Sequence, residues 1–300
     1  MKKFCVFLLS TILLSGCNFP DFVKINNKPT TDDKTDEKEN NNNDNLIISY
    51  DDYGAFLGRS ENNIEGFENY NYISLELDEY SDEKIQKLNE KGKKIFAYLN
   101  VGSLENYRSY YNNFKNITIG EYENWEDEAW IDVTDSSWQN FIVNTIAQSF
   151  KNRGAFGVYM DNVDVYSVAK EKQLTYSQYA VGLKNIIKGV SNLGLKVMIN
   201  GGSEFLDDMN DKNNEIFDSI WGYHQEEVFS LIKDYDKNIF GKQIEEDTNY
   251  YLEIAKIMKE KNKNIFFLEY TKDETLKETI KQACEINNYH FYIASNINLD

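Results

Sequence analysis

The run Ala155-Phe156-Gly157-Val158-Tyr159-Met160 passes without a charged residue into Asp161-Asn162-Val163-Asp164. A β-type apolar run that ends in acid sets carboxylates where a chain leaves a core, and a carboxylate there is either a helix cap or a reagent. A second cluster, His224-Gln225-Glu226-Glu227, follows another apolar run. Two opposed carboxyl groups can cleave an acetal, because one protonates the leaving oxygen while the other attacks or activates water. Other chemistries fit less well. The chain has only His224 and His290 and lacks His-x-x-x-His or Cys-x-x-Cys spacing, which leaves for a metal only an all-oxygen Ca²⁺ or Mg²⁺ site at Asp161 and Asp164. No Gly-x-Ser-x-Gly elbow is present, and Cys284 falls in a helical stretch. No Gly-x-Gly-x-x-Gly or Gly-Lys-Ser/Thr loop follows a strand, so no nucleotide cofactor is expected.

The elements that must position these acids recur with one rhythm. Short apolar runs at Leu46 to Tyr50, Tyr72 to Leu77, Lys94 to Leu99, Ala155 to Met160, Leu195 to Ile199, Ser219 to Tyr223, Asn264 to Leu268 and His290 to Ala294 alternate with helix-compatible segments. Among the latter are Asp82 to Lys91, Trp138 to Asn152 and Tyr176 to Asn192; Gly92 and Gly194 follow the first and third as helix stops. Eight strand–helix units in about 250 residues predict a (β/α)8 TIM barrel, with a doubly wound open sheet as the alternative. In such a barrel the reactive groups stand just past the C-terminal strand ends. Those positions hold Tyr50 and Asp52, Asp78, Asn100, Asp161 and Asp164, Asn200, Glu226 and Glu269. The mouth is thus expected to be carboxylate-rich, and the chain's 21 Tyr and 4 Trp supply a rim in which Tyr98, Tyr107, Trp125, Trp130, Tyr159 and Tyr223 flank strand ends. Aromatic faces suit sugar rings, although many of these side chains serve packing alone.

The N-terminus reads differently. Met1-Lys2-Lys3, the apolar run Phe4 to Leu14, and Leu14-Ser15-Gly16-Cys17 together have the form of a secretory signal ending in a lipidated cysteine, Cys17. Residues 18–45 are rich in Asn, Asp, Lys, Glu and Thr, including four consecutive asparagines, and are expected to form a disordered tether. The expected organisation is therefore a signal and lipidation site at 1–17, a linker at 18–45 and one barrel at 46–300, held at the cell envelope on the extracytoplasmic side. The domain's lone Cys284 allows no internal disulfide. The whole-chain charge of −18 argues against nucleic acid or anionic lipid surfaces as partners, and fits either a cationic ligand or plain solubility. A monomer is expected.

Asn100-Val101-Gly102-Ser103, Glu105-Asn106-Tyr107-Arg108, Trp125, Trp130-Ile131-Asp132-Val133, Gly157 through Asp164, Asn200-Gly201-Gly202, Gln225-Glu226 and Phe267-Leu268-Glu269-Tyr270 occur in the order that resembles glycoside hydrolase family 114. The resemblance covers nearly the whole domain. It is especially similar to the bacterial and archaeal subgroup with Gln-Glu before Val-Phe-Ser, here Val228-Phe229-Ser230. It implies a TIM-barrel endo-acting hydrolase of α-1,4-linked galactosamine polymers, with Asp161 and Glu226 matching the catalytic pair and Glu227 pointing elsewhere. Tyr50, Asp52, Asp78, Tyr98, Asn100, Asp164, Asn200, Tyr223 and Glu269 are the candidates for contacts to sugar hydroxyls or an ammonium group, and Arg108 reads as the structural partner of an acid. A carbohydrate-binding lipoprotein on a hydrolase-like barrel is the alternative, since fold does not settle turnover. The residues leave open which carboxyl is the acid and whether configuration is retained.

Overall fold

The computed structural model describes residues 50–62, 66–123, 125–212 and 214–300. The signal, Cys17, the linker and most of the first expected strand lie outside the described residues. Eight parallel strands form one sheet in sequence order: β1 (Tyr53–Phe56), β2 (Tyr72–Leu75), β3 (Lys94–Asn100), β4 (Gly157–Asp161), β5 (Lys196–Asn200), β6 (Gly222–Glu226), β7 (Asn264–Tyr270) and β8 (His290–Ala294). The sheet curls into a nearly closed TIM barrel. Phe291 N–H, in β8, donates to Tyr50 O just ahead of β1 at 3.2 Å, and the Tyr292 and Phe56 rings meet edge to face at 5.4 Å.

Strand alternation divides the packing into two regions. Outward residues such as Ile95, Val158, Ile199 and Phe267 meet the helical layer, including Ile85 and Leu88 of Asp82–Glu90 and Leu183 and Ile186 of Tyr176–Asn192. Gly92 and Gly194 follow these two helices with φ of 78° and 91°, the left-handed conformation that ends a helix at least cost to glycine. Aspartates start two others: Asp135 accepts from Ser137 N and Trp138 N ahead of Ser136–Phe141, and Asp273 accepts from Thr275 N and Leu276 N ahead of Glu274–Asn287. Inside the barrel, the lower half is filled by aromatic rings. Phe96 lies 5.2 Å from Trp221, Trp221 lies 5.7 Å from Phe266, and Phe266 stacks on His290 at 4.6 Å. The barrel is consequently a packed plug with one polar end. Among the described residues no helix is long and apolar enough to cross a membrane.

Two excursions leave the barrel at that polar end. A three-stranded antiparallel sheet of Ser103–Glu105, Thr118–Glu121 and Glu128–Ile131 lies between β3 and β4, and a hairpin of Ser230–Asp234 and Ile239–Lys242 lies between β6 and β7.

The first strand corrects the sequence expectation. The barrel begins at Tyr53, so Tyr50 and Asp52 precede β1 and occupy the N-terminal end of the barrel, opposite the strand C-termini. There Asp52 accepts from Asn71 Nδ2 at 3.1 Å and lies 2.5 Å from Nδ1 of His290, the first residue of β8, while its carbonyl accepts from Tyr72 N. Asp52 pins the starts of β1, β2 and β8 together and is no part of the mouth. Asp52→Ala strands the buried His290, removes a bond from the exposed Asn71 and should lower unfolding stability by about 1–3 kcal/mol, read as a reduced urea midpoint. An unchanged midpoint would remove this strand-pinning role.

Candidate active site

Parallel register brings three strand ends side by side. Asn100 pairs with Asp161, Met160 with Ile199, Asn200 with His224, and Leu268 with Glu226. Asp161, Asn200 and Glu226 occupy inward positions on β4, β5 and β6, and their side chains converge. Asn200 Nδ2 donates to Asp161 Oδ1 at 2.8 Å and to Glu226 Oε1 at 2.9 Å. Those two oxygens can be no farther apart than the two bonds laid end to end.

Tyrosines complete the pair's surroundings. Tyr98 Oη donates to Asp161 Oδ2 at 2.9 Å; Tyr159 Oη and Tyr270 Oη donate to Glu226 at 3.1 and 2.6 Å. Burial, and next the adjacent Glu226 charge, push the Asp161 carboxyl up to about 7 against the opposing bonds from Asn200 and Tyr98. Burial and the phenol's carboxylate neighbours also raise Tyr98, Tyr159 and Tyr270 well above the ordinary phenol range, so all three remain hydrogen-bond donors at physiological pH.

A second network stands behind Asp161 and ties the inserted sheet to the barrel. Asn100 Nδ2 donates to Ser103 Oγ at 2.7 Å, Asn162 Nδ2 donates to Asn100 Oδ1 at 3.1 Å, and Ser103 Oγ donates to Glu128 at 2.5 Å. Tyr122, stacked on Trp130 at 4.4 Å, donates to Asn162 Oδ1. After burial, the charges of Asp161, Glu128, Asp164 and Glu226 raise its phenol further. Asn100 is therefore buried in this supporting network. Arg108 is paired with acids: its guanidinium reaches Glu76 at 2.6 Å and Glu105 at 2.5 Å, 5.9 Å from the Tyr98 ring.

The remaining candidates separate from the pair. Asp164 accepts from Gly202 N–H at 3.0 Å and so joins the β4 and β5 loops; burial pushes its carboxyl up to about 6. Asp78 is largely exposed and meets Arg153 at 3.3 Å in the outer layer, beside Asp82 of the first helix. Tyr223 points outward from β6, bonded to Ser203 and Gln225 at 2.8 and 2.7 Å. Glu269 is fully buried and accepts from the backbone N–H groups of Val228, Phe229 and Ser230 and from Ser230 Oγ, which fastens the β6–β7 connection. Tyr223 and Glu269 fail as contact residues because strand alternation turns them away from the interior. Glu227 also turns away: its backbone is left-handed, and its carboxylate accepts from Ile232 N in the hairpin. The same alternation supplies Tyr159 and His224, two residues before Asp161 and Glu226, and Tyr270, next to Glu269, all absent from the expected contact set. Among the described residues no group of three or more His, Cys, Asp or Glu is arranged to hold a metal ion.

These features define a class: a TIM barrel with a tyrosine-lined carboxylate pair on β4 and β6. The chain belongs to glycoside-hydrolase family GH114, whose model matches residues 56–296. An uncharacterised protein of Methanocaldococcus jannaschii is 25% identical over 232 residues, 73% of this chain, and the match spans 64% of that relative's length. Among solved structures, the glycoside hydrolase domain of PelA from Pseudomonas aeruginosa is 15% identical with a TM-score of 0.69, covering 83% of this chain and 95% of that one. Aspergillus fumigatus Ega3 in complex with galactosamine is likewise 15% identical, with a TM-score of 0.65 and coverage of 84% and 93%. At that identity the likeness is one of fold.

The raised Asp161 pKa has a stability consequence of definite sign. Its folded value of about 7 lies above the ordinary 3.8, so this group's contribution to stability is complete below pH 3.8 and is lost as pH rises through 7. Asp161→Asn should melt above the wild type at pH 8, with the advantage shrinking toward pH 4, in thermal scans across that range. A variant that melts lower at pH 8 would contradict the proposed desolvation.

Proposed function

We propose that this chain is an endo-acting glycosidase that cleaves α-1,4-linked galactosamine or N-acetylgalactosamine polysaccharide, with Asp161 and Glu226 as its two working carboxyls. The observation that carries this reading is the single Asn200 amide nitrogen shared by both. The GH114 membership, the galactosamine bound to Ega3 and the acidic character of the chain favour an amino sugar, whose ammonium form is drawn to a negative mouth in a salt-sensitive manner.

The shared nitrogen also bears on stereochemistry. Retaining pairs stand about 5–5.5 Å apart, whereas inverting pairs leave about 6.5–9.5 Å for an intervening water. Two oxygens held at 2.8 and 2.9 Å from one nitrogen favour the shorter class. Two such close carboxyls resist carrying two charges, so one holds a proton. The ionised member attacks the anomeric carbon as the bond to the leaving oxygen breaks, and the protonated member delivers its proton to that oxygen. Water then attacks the anomeric carbon of the glycosyl ester as its bond to the ester oxygen breaks and frees the first carboxylate, and the water gives up its proton to the carboxyl that served as acid. The tyrosines fix the free lone pairs of both groups and direct the remaining ones to substrate.

Wild-type protein should release oligosaccharides from an α-1,4-galactosamine polymer, with the α-anomer appearing first in time-resolved proton NMR. Asp161→Asn and Glu226→Gln should each reduce kcat by about 10²–10⁴-fold while polymer binding persists. Binding without release by the wild type would instead make the protein a carbohydrate-binding barrel, and hydrolysis confined to neutral glucans would overturn the sugar assignment.

The location completes the proposal. Lipidation at Cys17 and a polar linker of 28 residues would hold the barrel about 30 Å from a membrane on the extracytoplasmic side, from roughly 5–6 Å times the square root of length. In detergent phase partitioning the intact chain should follow the detergent and Cys17→Ser the aqueous phase. Aqueous partitioning of the intact chain would sink the anchor.

A further inference from the structure

We propose that His224 is a positioning residue for the reaction: its Nδ1–H holds Asn200 in the one amide orientation that lets Nδ2 face both carboxylates. The inference rests on the reading of Asp161 and Glu226 as the hydrolytic pair. His224 is fully buried, two residues before Glu226 on the same inward face of β6. Its Nδ1 lies 2.7 Å from Asn200 Oδ1, at the opposite end of the carboxamide from the carboxylates.

A carboxamide has one oxygen and one nitrogen, and rotating it by half a turn exchanges them. The observed orientation places an N–H₂ group between two acceptors. The reversed one would set amide oxygen against carboxylate oxygen, lone pair to lone pair. For Oδ1 to accept, Nδ1 must carry the imidazole hydrogen, and Nε2 must then hold only a lone pair. Nε2 is buried without a partner. Its ring sits in an aromatic slot, edge to face with Tyr53 at 5.5 Å and Tyr159 at 4.7 Å. An unpartnered acceptor in such a slot is tolerated better than an unpartnered N–H. Burial also depresses the imidazolium to about pH 3, so the ring is neutral under physiological conditions and has a single hydrogen to place. Tyr159 shares the arrangement, because its ring packs on His224 while its hydroxyl donates to Glu226.

Nitrogen-15 correlation spectra of the histidines in the intact wild-type protein at neutral pH test the tautomer directly. The chain has only two histidines, and the His224→Phe spectrum identifies the relevant signal. A neutral Nδ1–H ring is expected; an Nε2–H tautomer overturns the proposal whether or not the protein hydrolyses sugar. For turnover, His224→Phe and Asn200→Ala should each reduce kcat by about tenfold or more with KM little changed, and the double variant should be no worse than Asn200→Ala alone. His224→Gln, which can again donate to Oδ1, should regain part of the loss. Losses that multiply in the double variant, or a His224→Gln no better than His224→Phe, would reduce His224 to core packing. Failure of the wild type to cleave the polymer would instead strike the parent reading, and the tautomer measurement would still decide the amide's orientation.

Discussion

Two carboxyl groups drawn together in a pocket repel unless one keeps its proton, and partial positive charge between them eases the approach. Asn200 Nδ2 occupies that place, with bonds of 2.8 and 2.9 Å to the two acids. A lysine there would neutralise part of the pair's charge; an amide stabilises negative charge without cancelling it. Asp161 keeps an elevated proton affinity because burial and Glu226 outweigh its two hydrogen bonds. The neutral phenols of Tyr98, Tyr159 and Tyr270 follow the same rule, since they supply donors and no cation. Arg108 is close enough to lie against the Tyr98 ring, yet its charge is taken up by Glu76 and Glu105.

The barrel makes this arrangement rigid by giving its two ends different jobs. Below, rings from β2, β3, β7 and β8, with Trp221 just ahead of β6, fill the interior. Above them inward positions on β3 to β7 carry polar groups whose partners come from another strand. Tyr98 to Asp161 joins β3 to β4, Asn200 joins β5 to both neighbours, and Tyr159 and Tyr270 reach β6 from β4 and β7. Such cross-strand bonds restrict the carboxylates more tightly than loop contacts would, because every donor rides on an element fixed by sheet hydrogen bonds.

Much of the fold was legible because strand and helix rhythm depends on local composition. Seven of the eight strands stand within a few residues of their apolar runs. The exception is instructive: Leu46 to Tyr50 is a stronger β-type run than Tyr53-Gly54-Ala55-Phe56, and choosing it transferred Asp52 from one end of the barrel to the other. Of the proposed pair, Asp161 was legible because it directly follows an apolar run, whereas Glu226 stands three residues past Tyr223 and was matched to Asp161 through the resemblance to family 114. The contact set was less so. Parallel strands are buried on both faces, so Ile265 to Leu268 shows no polar alternation from which to read that Phe266, Leu268 and Tyr270 point inward and Glu269 outward. The inserted sheet and hairpin escaped notice because their strands are only three to five residues long and stand outside the alternation of strand and helix.

Burial and proton affinity do not by themselves separate a reactive acid from a structural one. Glu269 is buried and pushed up to about 7, as Asp161 is. The difference lies in the donors. Three of the four groups that bond Glu269 are consecutive backbone N–H groups of Val228–Ser230, and the fourth is the Ser230 hydroxyl, so the carboxylate serves as the knot of a single turn. Asp161 and Glu226 are held entirely by side chains arriving from four strands. Backbone donors wrap a carboxylate and close its surroundings, whereas side chains converging from a ring of strands leave the direction along the barrel axis open. On the proposed function a sugar ring enters along that direction and meets two acids whose other lone pairs are already committed.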